Sequence, residues 1–396
     1  IRGLDVEVFG SVAGEINNLI VISGNLGSPS ASYAGGLGRF AGGDLTIDGL
    51  RFYAESVQSS MGAGCLFGSF NLADLTIKNS YIECDTEGRW AGGLVAYLGA
   101  FGYPMYDLDI EHVMVRGNHS GSETAGGLIG VSNFFENTAT LSEVYFEGEV
   151  SGVGSVGTLF GSVGGADGRF YGSGSTQGPI IVNLDDIQVD AVIRGDSNSG
   201  ASWVHLEQYG ALIGLVDADG DGDEFDETTT VNASNVVLDV QFVDEKSQDL
   251  TPKVGFEAAD TGSQSCLFYV DIPNHTETLA SGFTNISESD KTDVSSLSCL
   301  GIESPVSSTN GSPIWYQQTG SNGDAVSLEF GKLNGYVDFE LGYPFDTYES
   351  PADFSFAILT NGGWNFFPEY SISPELPEGM NFDIQAGYIT GKPTYG

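Results

Sequence analysis

Ala91-Gly92-Gly93-Leu94-Val95 is the stretch that decides the fold, because the chain keeps returning to it. Ala34-Gly35-Gly36-Leu37-Gly38 and Gly64-Cys65-Leu66-Phe67-Gly68 precede it. Ala125-Gly126-Gly127-Leu128-Ile129-Gly130, Gly157-Thr158-Leu159-Phe160-Gly161 and Gly210-Ala211-Leu212-Ile213-Gly214 follow. From Leu37 to Leu212 the leucines are 29, 28, 34, 31 and 53 residues apart. Self-similarity near 30 residues marks a stacked fold in which each repeat touches only its neighbours.

A second motif lies between the glycine motifs. It reads Leu45-Thr46-Ile47-Asp48-Gly49-Leu50-Arg51-Phe52, then Leu75-Thr76-Ile77-Lys78-Asn79-Ser80-Tyr81-Ile82. Leu108-Asp109-Ile110-Glu111-His112-Val113-Met114-Val115 repeats it, as do Leu141–Phe146 and, more loosely, Val236–Phe242. Apolar and polar residues alternate, broken by a two-residue corner, and a period of two means strand. Each repeat then supplies about three short strands. The expected fold is all-β: a right-handed parallel β-helix, or β-solenoid, of seven or eight coils about 35–40 Å long at ~4.8 Å per coil. Glycine suits its corners by taking positive φ and by letting backbones approach closely.

The glycine motif resembles the GLUG repeat (Gly-Gly-Leu-Val/Ile-Gly) of bacterial secreted and surface proteins, over residues 10 to 215. That resemblance implies an architecture and a surface location, and no single chemistry. Near the end, Leu376-Pro377-Glu378-Gly379-Met380-Asn381-Phe382-Asp383 and Gly387-Tyr388-Ile389-Thr390-Gly391-Lys392-Pro393-Thr394 resemble the Ig-like, cadherin-like module of bacterial surface proteins. Met380 replaces the leucine of that module's pattern and Lys392 precedes the proline. The module implies a small Ig-like β-sandwich. Three parts are expected: a GLUG-like solenoid at 1–256, a disulfide-bearing cap or connector at 257–325, and the Ig-like module at 326–396.

Net charge is −41, with 13 Lys and Arg against 54 Asp and Glu. This opposes binding to nucleic acid or to anionic membrane surfaces, both of which require positive charge. No apolar run approaches the ~20 residues that span a bilayer, so no direct membrane insertion is expected. The chain opens at Ile1 inside a strand-like run and is read as a mature or excised segment of a longer exported protein. Of the four cysteines, Cys65 and Cys84 fall in one expected coil, and Cys266 and Cys299 flank a polar loop. In an exported chain two disulfides are expected, with buried free thiols as the alternative. Five Asn-x-Ser/Thr sequons, at Asn118, Asn232, Asn274, Asn285 and Asn310, matter only in a glycosylating host.

The sharpest metal signal is Asp217-Ala218-Asp219-Gly220-Asp221-Gly222-Asp223-Glu224-Phe225-Asp226-Glu227. Carboxylates at alternate positions, with glycine at the sixth, let a loop wrap oxygens around a hard cation at ~2.4 Å. It resembles the first half of an EF-hand-type loop, with Thr228 where the twelfth-position Glu stands. Asp217, Asp219, Asp221, Asp223, Asp226 and Glu227 are the candidate ligands of a structural Ca2+. The alternative is a solvated acidic loop.

Two aromatic groups are candidate sugar contacts, because exposed rings stack on sugar faces. Tyr97, Tyr103 and Tyr106 follow the central motif, and Trp203 and Tyr209 lie in a long insertion. The alternative is that they cover the core. The acidic pairs Asp107/Asp109 and Asp185/Asp186 are of the kind β-helix glycosidases use, but 54 acids make such pairs by chance. His112, His119, His205 and His275 are scattered and are read as structural or surface residues. The expected role is a non-enzymatic extracellular or cell-surface adhesin or scaffold, binding a cell-surface glycan, a protein or copies of itself. The alternatives are a self-assembling filament subunit and a polysaccharide-degrading β-helix enzyme.

Overall fold

The computed structural model describes residues 7–9, 12–71, 73–99, 107–132, 138–163, 180–195, 208–216, 229–244, 253–254, 260–270, 278–279, 283–287, 297–300, 315–320, 323–328, 354–357, 380–383 and 388–391. Among these, every regular element except the 3-10 turn Ser298–Leu300 is a β-strand, and no helix is long and apolar enough to cross a membrane. The chain divides into two compact units, Ile1–Leu328 and Glu329–Gly396.

The first unit is dominated by a 17-stranded and a 6-stranded sheet, both parallel. Parallel pairing of each strand with the one a repeat later is compatible with a β-helix or solenoid. The alternating motif forms one wall. Ile16 pairs with Ile47, then Ile77, Ile110, Leu141, Leu184 and Ala233 in unbroken register, and all seven are buried. A second buried column runs Val21, Phe52, Ile82, Val115, Phe146, Val189, Leu238 and Tyr269. The glycine motif supplies the third. Leu37, Leu66, Leu94, Leu128, Leu159 and Leu212 are fully buried, and each donates its N–H to the carbonyl of the next at 2.7–3.2 Å. A strand buries alternate residues, so one apolar residue in two from each wall fills a shared core along the whole stack.

Between the first two columns the chain turns a corner with one left-handed residue per coil. Asn18, Gly49, Asn79, His112, Glu143, Asp186, Asn235 and Cys266 all have φ between 48° and 74°. Among the described residues eight such corners, each following a registered strand pair, mark eight stacked repeats, here termed coils, about 34 Å from first to last at ~4.8 Å per step. At the other corner the described motif glycines, Gly35, Gly36, Gly64, Gly92, Gly93, Gly126 and Gly127 among them, have no positive φ. The expectation of positive φ is therefore corrected for these motif glycines, while Gly49 meets it. These glycines serve close approach only: a Cβ on Gly126 would sit 2.6 Å from the Ile129 carbonyl carbon and 2.7 Å from the Gly161 nitrogen.

Both expected disulfides are present. Cys65–Cys84 lies inside the core, with Cα atoms 6.1 Å apart and the two residues 0 % and 2 % exposed. Cys266–Cys299 joins the eighth corner to the turn Ser298–Leu300. The coils do not stop at 256. Asp260–Val270 pairs in parallel with Thr229–Asp244, and Phe283–Ile286 with Asp260–Val270. The expected connector thus begins inside the stack. Its glycine motif has gone, but Leu267 and Tyr269 still face the core beside Val236 and Leu238.

Beyond the coils, Trp315–Gly320 and Gly323–Leu328 form an antiparallel hairpin. In the second unit Phe354–Ala357 and Met380–Asp383 each pair antiparallel with Tyr388–Gly391. The two end motifs of the sequence therefore meet, Asn381 opposite Thr390 and Asp383 opposite Tyr388.

Candidate functional site

On stacked coils a residue type placed at one position becomes a row, one side chain per coil, ~4.8 Å apart. Three polar rows face outward. The first is Asp44, Asp74 and Asp107, all exposed. Asp44 Oδ1 accepts the Asp74 N–H at 3.3 Å, Asp74 Oδ1 accepts that of Asp107 at 3.1 Å, and Asp107 Oδ1 accepts that of Thr138 at 3.1 Å. Each carboxylate thus caps the strand start of the following coil.

The second row is Asp48, Lys78 and Glu111, in register. Lys78 Nζ lies 2.7 Å from Glu111 and 3.2 Å from Asp109. Further along this wall Asp185 accepts from Ser234 at 2.6 Å and from Asn235 at 3.2 Å. The acidic pairs singled out in the sequence therefore bond to neighbouring coils: Asp107 caps Thr138, Asp109 faces Lys78, Asp185 holds Ser234, and Asp186 is a buried left-handed corner.

The third row is the richest in chemistry. Tyr53, Glu83, Arg116, Glu147, Asp190 and Asp239 stand in register, with Tyr81, Met114, Tyr145 and Gln188 two residues before their coil-mates. Arg116 holds Glu147 by approaching its Oε2 with both Nε and Nη2, each at 2.9 Å. Tyr81 donates to Glu83 at 2.5 Å, and Tyr145 to Asp190 at 2.7 Å. Tyr53 and Tyr81 stack with ring centroids 5.4 Å apart. Burial, then the neighbouring carboxylates, push the Tyr81 and Tyr145 hydroxyls far up, and burial takes Tyr53 up to about 12. Burial works against the Arg116 charge, but Tyr81, Glu147 and Tyr145 outweigh it and keep the guanidinium protonated. The face offers hydroxyls, carboxylates and one guanidinium in a fixed line, already bonded to one another.

The sequence-expected site residues fare unequally. Asp217, Asp219, Asp221, Asp223, Asp226 and Glu227 lie outside the described residues, as do Tyr103, Tyr106 and Trp203. Among the described residues no three His, Cys, Asp or Glu gather into a metal-binding group. Tyr97 and Tyr209 are both 2 % exposed, so neither presents a ring to a surface ligand. Tyr97 meets Trp90 edge-on at 4.8 Å, in a small second core with Tyr33, Ala96 and Val131. The guanidinium of Arg89, ion-paired with Glu123, lies 5.0 Å over Trp90. Sequence reasoning missed Tyr33 and Trp90. Their signal was the aromatic residue placed directly before Ala-Gly-Gly in two copies of the motif.

His119 is fully buried. Its Nδ1 lies 3.0 Å from Thr86 Oγ1, its ring packs 5.7 Å from Phe146, and burial lowers its pKa to about 3. It is a neutral core residue. No family model, curated protein or solved structure matches the chain.

Proposed function

We propose that the chain is a non-enzymatic extracellular or cell-surface adhesin or scaffold that displays a rigid β-solenoid. In this reading the coils are a right-handed parallel β-helix of the GLUG type, and the end unit is an Ig-like β-sandwich. The 217–227 loop takes a structural Ca2+, and the partner is a cell-surface glycan or protein.

One observation carries the reading: side chains on the outer face of the coils are tied to the coils above and below, from Asp44 to Asn235. Such a face is a rigid lattice of hydroxyls, carboxylates and amides at a ~4.8 Å repeat, suited to holding an extended polar polymer by many equal contacts. The third row also supports binding over turnover. Its Glu147 is held by Arg116 and its Asp190 by Tyr145, so both carboxylates are already engaged as acceptors within the row. Two disulfides support export, because such bridges persist in oxidising compartments.

The test is incubation of the full chain with a panel of marine and plant polysaccharides, with and without calcium, scoring retention and new reducing ends together. Retention without new ends is expected, weakened by chelation. New reducing ends would overturn the non-enzymatic reading. Neither signal, with fibres that grow with concentration in negative stain, would replace the adhesin by a self-assembling filament.

A further inference from the structure

We propose that Cys266–Cys299 is a redox-operated latch on the last coils, opened by a dithiol while Cys65–Cys84 stays closed. The two bridges differ in where they sit. Cys65 and Cys84 are buried in the coil interior, between walls of Leu and Phe, and no thiol reaches them without unfolding those coils. Cys299 is exposed and Cys266 half-exposed. Attack on a disulfide needs access to sulfur, so only the second bridge is open to exchange in the folded chain.

What it holds is small. Ser298–Leu300 is a single turn, closed by the Leu300 N–H on the Leu297 carbonyl at 3.0 Å. Leu297 and Leu300 are buried while Ser298 and Cys299 face out. Among the described residues, two leucine side chains and one covalent bond seat this turn, whereas Leu108–Gly126 pairs with Thr138–Gly152 at 13 positions. The bond is made to Cys266, the eighth left-handed corner, so the latch closes on the end of the corner row.

The chemistry balances without further reactants. One thiolate of the dithiol attacks Cys299 Sγ, the sulfur–sulfur bond breaks, and Cys266 leaves as a thiolate that takes a proton. The reductant's second thiolate then attacks its own bound sulfur, closes a cyclic disulfide and releases Cys299, which is protonated in turn. Two electrons pass from the dithiol to the bridge.

The experiment treats the full chain with dithiothreitol under native conditions, alkylates it, and maps the label by peptide mass, with amide hydrogen exchange run in parallel. Label on Cys266 and Cys299 but not on Cys65 or Cys84 is expected. Exchange is expected to rise at least tenfold at 297–300, to stay unchanged at 108–126, and to revert on reoxidation. The double variant Cys266→Ser with Cys299→Ser should reproduce the reduced pattern; if it does not fold, the reduction experiment decides alone. Label on all four cysteines or on none overturns the latch. So does label at the right pair with no change at 297–300, or with exchange rising throughout the coils.

Discussion

The two corners of each coil face the same problem and solve it in opposite ways. At Gly92 the backbone avoids positive φ and runs so close to its neighbours that no side chain fits; a Cβ there would strike the Val95 carbonyl and come within 2.8 Å of the Gly130 nitrogen. At Asn79-Ser80 the backbone adopts a left-handed conformation but leaves room outside, so Asn, His, Glu, Asp and Cys all occupy the corner. A corner limited by space dictates its residue. One limited by a dihedral angle costs only ~1–2 kcal/mol per residue, and surrounding bonds offset it. His112 and Glu143, 2.8 Å apart on successive coils, and Asn79 with Asp48, also at 2.8 Å, are such bonds.

The comparison breaks most sharply at Gly126. Gly126→Ala should cost about 3 kcal/mol or more, because the backbone must move on both sides. A urea midpoint near that of the parent chain would show that the glycine corner is not space-limited. The same tightness excludes a proton from His119. Its folded pKa, about 3, lies below the unfolded 6.5, so the unfolded chain binds the proton first. Stability is full above pH 6.5 and falls by ~1.4 kcal/mol per unit as the pH drops towards 3. His119→Leu should flatten that stretch of the acid-unfolding curve, and an unchanged slope would count against a closed interior.

The left-handed corner should respond more weakly. Asn79→Gly is expected to stay within ~0.5–1 kcal/mol of the parent in urea, since glycine accepts the angle and loses one bond to Asp48. Asn79→Val should cost about 2 kcal/mol. Equal costs for the two would mean that packing, and not the dihedral, governs this corner. Smallest of all, Lys78→Gln should change stability by under ~1 kcal/mol at low salt and negligibly at 1 M, because Lys78 and its partners are substantially exposed.

The same contrast explains what was legible in the sequence. The glycine motif announced the period because steric limits leave no choice of residue, and the columns through Ile77 and Leu94 followed from alternation. The left-handed row escaped notice because Asn18, His112, Glu143 and Cys266 share an angle and no chemistry. The last coils escaped for a related reason: beyond Gly214 the glycine motif ends, and only Leu267 and Tyr269 keep the pattern. The Cys65–Cys84 pairing was legible from the repeat, since residues less than one period apart are near in space, and Cys266–Cys299 only from the polar loop between them. Tyr97 misled because an aromatic residue after a glycine motif faces a second, smaller core, which the 30-residue period alone does not reveal. The rows of Tyr, Glu and Arg needed the register itself, because their partners are some 30 residues apart in the chain.

The Cys65–Cys84 bridge has a sequence separation of 19 and runs from the coil that begins at Leu45 into the one that begins at Leu75, tying the two together. Under tension, each coil that unfolds would lengthen the chain. A coil as long as Leu45 to Leu75 would pay out about 100 Å of chain at ~3.4 Å per residue. The two bridged coils together would stop short by the length the disulfide encloses, roughly 60 Å. The bridge thus works as a reef in the sail, shortening what is released.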